Sequence, residues 1–159
     1  MLVIGIDAAT ITTGWAVVDV RPGLPKLVAS GTIGGTRAAD ILALSRAWAP
    51  KVQAAAVEEP YLDPRKGVAT MRKLAGATER WLMAWELAGV PCRAVRAQEW
   101  QCGVLAGLAG PQAPREQRKR AAAIWTRAQF GAVLSEDVAD AACLAFWEGR
   151  RLAFGKRAA

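Results

Sequence analysis

The sequence predicts an α/β fold, a mixed five-stranded sheet in the order βββαβαβαα flanked by helices. Three observations predict it. Apolar runs separated by turn residues crowd the first third of the chain. Helix-period and strand-like segments then alternate, and two helical segments close the chain. The 159 residues, 53% of them hydrophobic, suffice for one well-packed domain spanning 1–159 and are too few for two sizeable ones.

Residues 2–7 form a continuous apolar run into Asp7, and Gly14 to Asp19 reads as a second strand after a Thr-rich turn, so a hairpin is expected. Pro22, Gly23 and Pro25 break the chain, Lys26 to Ile33 resumes the strand pattern, and Gly34-Gly35 ends it. From Thr36, the spacing of Ile41, Leu44, Ala47 and Trp48 predicts an amphipathic helix that stops before Pro50. Gln53 to Glu58 reads as a buried strand. Lys66 to Leu87 carries Met71, Leu74, Thr78, Trp81, Leu82 and Trp85 at helical spacing, ended by Gly89 and Pro91. Cys92 to Val95 is a short fifth strand, and Gln98 to Leu105 a helical turn. Gly107 to Pro114 is the expected mobile loop, Arg115 to Gln129 a basic helix, and Ser135 starts the last helix. This order of elements is ribonuclease-H-like.

Net charge is +7, which favours a polyanionic partner over a basic or neutral one, although solubility alone also accounts for such a surplus. The chain has no His, which excludes Ser/His/Asp triads, HExxH zinc sites and His general bases. Cys92, Cys102 and Cys143 form no CxxC pair and sit among apolar neighbours, the pattern of buried thiols in a reduced, cytoplasmic protein. No secretory leader is evident, and no apolar stretch approaches the roughly 20 residues that span a bilayer, so no membrane partner is expected.

Four carboxylates carry the chemistry. Asp7 ends the first apolar run, Glu58 ends the run Ala54 to Val57, and Asp137 and Asp140 stand three apart before Ala141-Ala142-Cys143-Leu144-Ala145. In a sheet of this order the first and fourth strands end side by side, so Asp7 and Glu58 meet there. Asp137 and Asp140 share one face of the last helix, which packs near the same edge. Four such acids cannot all stay ionised without cations, whereas two Mg²⁺ ions about 4 Å apart relieve the repulsion, with Mn²⁺ as a possible substitute. Each acid alone has a plainer account. Asp7 can open a turn, Ser135-Glu136-Asp137 can be an ordinary helix start, and Glu58-Glu59 can be a solvated pair before Pro60.

The chain resembles the RuvC-type Holliday junction resolvases, nucleases of the ribonuclease-H-like superfamily. Gly5-Ile6-Asp7-Ala8-Ala9 with Gly14-Trp15-Ala16-Val17 is similar to the family's GIDPG and TGY or TGW hairpin. Val57-Glu58-Glu59-Pro60-Tyr61 is similar to IEQVF, and Asp137-Val138-Ala139-Asp140-Ala141 to the closing DAADA. The resemblance implies a metal-dependent endonuclease that resolves four-way DNA junctions by paired symmetrical nicks leaving 5′-phosphates. It would act as a homodimer with two metal ions per site. Asp7 would bridge the metals, Glu58 would complete one, and Asp137 with Asp140 would hold the other. Tyr61 falls where the family stacks an aromatic on bases at the junction centre, and a Tyr capping a loop is the plainer account. Arg65, Lys66, Arg72 and Lys73, with Arg115, Arg118, Lys119 and Arg120 opposite, would approach phosphates, or else form solvated helix faces. Trp81, Trp85 and Met71 belong either to the dimer interface or to the core.

The chain departs from the family at three points. Ala8-Ala9 replaces Pro-Gly, Trp100-Gln101 stand about where a phosphate-reaching Lys is common, and Arg115 replaces a second Lys. Three other readings compete. One is a ribonuclease-H-like nuclease acting on RNA, RNA–DNA hybrid or other branched DNA. The others are a sugar-kinase or actin-like ATP-binding domain and a non-catalytic nucleic-acid-binding module.

Overall fold

The computed structural model describes residues 1–155 apart from Pro22, Thr36, 61–66 and Pro111. Its strands are β1 (Leu2–Asp7), β2 (Thr12–Asp19), β3 (Lys26–Gly34), β4 (Ala54–Glu59) and β5 (Cys92–Arg96). Its helices are α1 (Ala38–Trp48), α2 (Val68–Leu87), α3 (Ala97–Val104), α4 (Arg115–Phe130) and α5 (Glu136–Phe154). The predicted order therefore stands, with one change. The expected helical turn at Gln98–Leu105 is a full two-turn helix, α3, whose Glu99 accepts from the Arg96 backbone amide.

The sheet runs β3-β2-β1-β4-β5. β1 pairs antiparallel with β2 and parallel with β4, and β5 lies parallel beyond β4. β1 and β4 are thus central strands covered on both faces, which is why Leu2 to Ile6 and Ala54 to Val57 are apolar without alternation. The β1–β4 register pairs Ile6 with Val57, so Asp7 and Glu58 follow as neighbours at the same sheet edge.

On one face α1 and α2 close a core of Ile4, Ile6, Val17, Ile41, Val57, Trp81 and Trp85. Trp81 and Trp85 are wholly buried here, which assigns them to the core and not to an interface. On the other face Ala56 and Val95 pack with Trp100, Leu105, Ala122, Ala139, Cys143 and Leu144. Cys143 is buried there and Cys92 partly so, but Cys102, expected inside, is exposed because α3 turns it to solvent. No helix among the described residues is long and apolar enough to cross a membrane.

The passage of α5 across the sheet decides where the last two acids go. Ala141, Ala142 and Ala145 lie against Ala16, Val18 and Val20 of the β2 segment, small residues facing small residues. Two glycines complete the fit. A Cβ on Gly5 would overlap the Ala141 carbonyl oxygen and the Ala145 amide, and a Cβ on Gly14 would overlap the Asp137 carbonyl. The obstacles are backbone atoms, so no rotamer change relieves them. Gly5→Ala is expected to destabilise the protein by about 1–3 kcal/mol. The control Gly76→Ala, in open space on α2, is expected to be neutral or stabilising by up to about 1 kcal/mol. Urea unfolding of the two variants checks this, and equal stabilities would refute the packing argument.

Candidate active site

Three elements deliver four carboxylates to one sheet edge. Asp7 comes from the end of β1, Glu58 from the adjacent position on β4, and Asp137 and Asp140 from the first turns of α5. Glu59 points the other way, as strand alternation requires, and meets Arg96 at 3.4 Å. The acids sense one another. Burial first, then the Asp137 charge, raise Asp7 to about 6, against the pull of Lys119 and Arg115. Burial, then Asp7 and Asp140, raise Glu58 to about 8. Asp140 is raised to about 7 by burial and by Asp7. Carboxylates pushed this far up are short of positive charge.

Two side chains hold the cluster. Trp100, buried on α3, donates its indole N–H to Glu58 Oε2 at 2.8 Å. This contact links the second core cluster directly to the site and limits the orientations open to Glu58. Lys119, on α4, places its ammonium 3.0 Å from Glu136, 3.4 Å from Asp137 and 3.8 Å from Asp140. Neither Trp100 as a donor to Glu58 nor Glu136 as a partner of Lys119 was identified from sequence. In the sequence Trp100 stands out only as an aromatic in a short segment after the fifth strand, and Glu136 only as an acid at a helix start.

The expected DNA-facing cations are distributed unevenly. Arg72, Lys73, Arg115 and Arg120 are exposed. Arg115 lies one turn before Lys119, and its charge is felt at Asp7 and Asp140. Two of the expected cations are less open. Lys119 is only 8% exposed and faces acids instead of solvent, and Arg118 is half-buried with its guanidinium on Gln101 at 2.9 Å. Both follow from the docking of α4 on α5, which turns Lys119 inward and Arg118 towards α3. Tyr61, Arg65 and Lys66 lie outside the described residues.

The donor set suits a hard divalent cation, being entirely carboxylate and rich in unrelieved repulsion. Among the described residues, however, no group of three or more His, Cys, Asp or Glu is arranged to hold an ion as it stands. The chemistry fits; the arrangement has an ammonium among the acids and one carboxylate tied to an indole.

The raised values carry a stability consequence. An acid whose folded value lies above its unfolded one stabilises the fold at low pH, and that stability is lost as pH rises through the folded value. In EDTA, Glu58→Gln is expected to melt above the wild type at pH 8 and level with it at pH 5, because Glu58 titrates at about 8. Thermal denaturation at both pH values checks this, and a gain independent of pH would refute it.

No family model matches the sequence, and no curated protein matches it. Solved structures do. RuvC from T. thermophilus in complex with a Holliday junction substrate superposes with a TM-score of 0.77 at 22% identity, covering 98% of this chain and 97% of that one. A second Thermus thermophilus RuvC structure gives 0.73 at 24% identity with the same coverage. The Fowlpox virus resolvase with Holliday junction DNA gives 0.60 at 10% identity, over 96% of this chain and 99% of that one. From end to end, the chain has the ribonuclease-H-like fold of the RuvC-type resolvases.

Proposed function

We propose that this protein is a metal-dependent endonuclease that resolves four-way DNA junctions by paired symmetrical nicks leaving 5′-phosphates. The observation that carries the reading is the convergence of Asp7, Glu58, Asp137 and Asp140 at one edge of the sheet. It is supported by the fold shared with resolvases solved on junction DNA.

Asp7, whose charge is felt at Glu58 and Asp140, would help to hold two Mg²⁺ ions, with Mn²⁺ as a substitute. Glu58 would complete one ion's ligands, and Asp137 with Asp140 the other's. When bound, the ions activate the attacking water and stabilise the leaving 3′ oxygen of an in-line displacement. The protein's own groups supply the rest. Trp100 holds Glu58 in orientation through its indole N–H.

Arg72 and Lys73 on α2 and Arg115 and Arg120 on α4 are exposed and would neutralise backbone phosphates along the junction arms, with Arg65 and Lys66 beside them. Tyr61 would stack on bases at the crossover. Two symmetrical cuts need two sites, so the working unit would be a homodimer, acting in the cytoplasm on four-way branched DNA.

A labelled immobile four-way junction, incubated with Mg²⁺ or with EDTA beside duplex and RNA–DNA hybrid, tests the reading. Paired nicks confined to the junction and to the metal condition are expected. Asp7→Asn is expected to abolish them while junction binding by gel shift is retained. Preferential cleavage of the hybrid would replace the junction by another substrate, and binding without cleavage under any metal condition would leave only a binding module.

A further inference from the structure

Lys119 is buried between a half-buried Arg118 and an exposed Arg120 on α4, and its ammonium meets the acids of α5. Its ammonium has three donors, and three carboxylates of α5 stand within 4 Å of it. The distances are graded. Glu136, the nearest at 3.0 Å, is exposed and contributes nothing to the metal donor set proposed above. Asp137 and Asp140, at 3.4 and 3.8 Å, belong to that set. Burial disfavours the ammonium, but the Glu136 hydrogen bond and the charges of Asp140 and Asp137 outweigh it, so Lys119 stays protonated.

We infer that Lys119 is a tethered counter-cation of the metal-free cluster. A divalent ion displaces it from Asp137 and Asp140 onto Glu136, and the lysine thereby weakens and sets the affinity for that ion. The inference rests on the metal-dependent reading above. An ammonium and a divalent cation cannot share the same carboxylate oxygens, because like charges about 4 Å apart in a partly buried site repel strongly. Glu136 makes the exchange feasible. It precedes Asp137 directly at the start of α5 and faces solvent, so the ammonium can leave the cluster without losing its closest partner. A lysine serving only as a phosphate contact would instead present its ammonium to solvent.

The two residues should act with opposite sign. Mn²⁺ is titrated by calorimetry into the DNA-free protein at one pH, for wild type, Lys119→Met, Glu136→Gln and the double variant, with circular dichroism reporting the fold. Lys119→Met is expected to bind Mn²⁺ about tenfold tighter or more, since a competing charge is gone. Glu136→Gln is expected to bind it several-fold more weakly, because the displaced ammonium has lost its refuge. In the double variant the Glu136 change should have little further effect, whereas simple loss of a nearby negative charge would weaken binding equally in both backgrounds. Unchanged or weaker binding by Lys119→Met overturns the inference and leaves the metal site standing. If that variant does not fold, Glu136→Gln decides alone, and unchanged or tighter binding overturns the inference. Failure of all folded variants to bind Mn²⁺ overturns the metal-dependent reading as well.

Discussion

Backbone-to-backbone packing of α5 on β1 and β2 is the contact on which the site depends. Gly5 and Gly14 remove the two Cβ atoms that would hold the helix away, and Ala141, Ala142 and Ala145 present small side chains to the sheet. Larger residues on either side would lift α5 by the width of a side chain, and Asp137 and Asp140 would rise with it, away from Asp7 and Glu58. The Gly14 contact is made by the backbone carbonyl of Asp137 itself, so packing and site share a residue. Small residues here serve closeness more than hydrophobic gain, since an alanine buries little area compared with a leucine.

Buried acids elsewhere in the protein show what is unusual about this edge. Asp19 is matched by the terminal ammonium at 2.9 Å and by Arg21, and Glu148 by Arg151 at 2.6 Å with Arg93 beyond. Those pairs meet the ordinary rule that a buried charge is matched by an opposite one. Asp7 and Glu58 have no ion-pair partner among the described residues, and they are raised to about 6 and about 8. An uncompensated negative cluster costs stability unless something positive enters it. Lys119 supplies part of that charge, in contact with Asp137 and Asp140 and at longer range for Asp7 and Glu58. Strongly perturbed acids gathered at one place are what mark this edge as the candidate site.

The environment of Glu58 is built outward from the core. After the fifth strand, Trp100 turns inward, fills the second core cluster and gives its one polar atom to the carboxylate. Gln101 beside it receives Arg118. No positive charge comes from α3 itself. Arg115 and Lys119, a turn apart on α4, bring charge to the cluster from the opposite side.

Much of this was legible in the sequence. Periodicity and turn residues determined the order of elements, and the rules of strand connection then made β1 and β4 neighbours, which put Asp7 beside Glu58. The three-residue spacing of Asp137 and Asp140 placed both on one helical face. Tertiary structure alone decided that Lys119 turns inward onto acids while Arg115 and Arg120 face solvent, that Trp100 reaches Glu58 across 42 positions, that Cys102 is outside, and that Trp81 and Trp85 are core. The reason is one of range. Patterns of period 2 or 3.6 report which face of an element is apolar. The partner met by a given side chain depends on the rotation and height at which two elements dock, and here those were set by the shape of the α5 contact and not by any local signal.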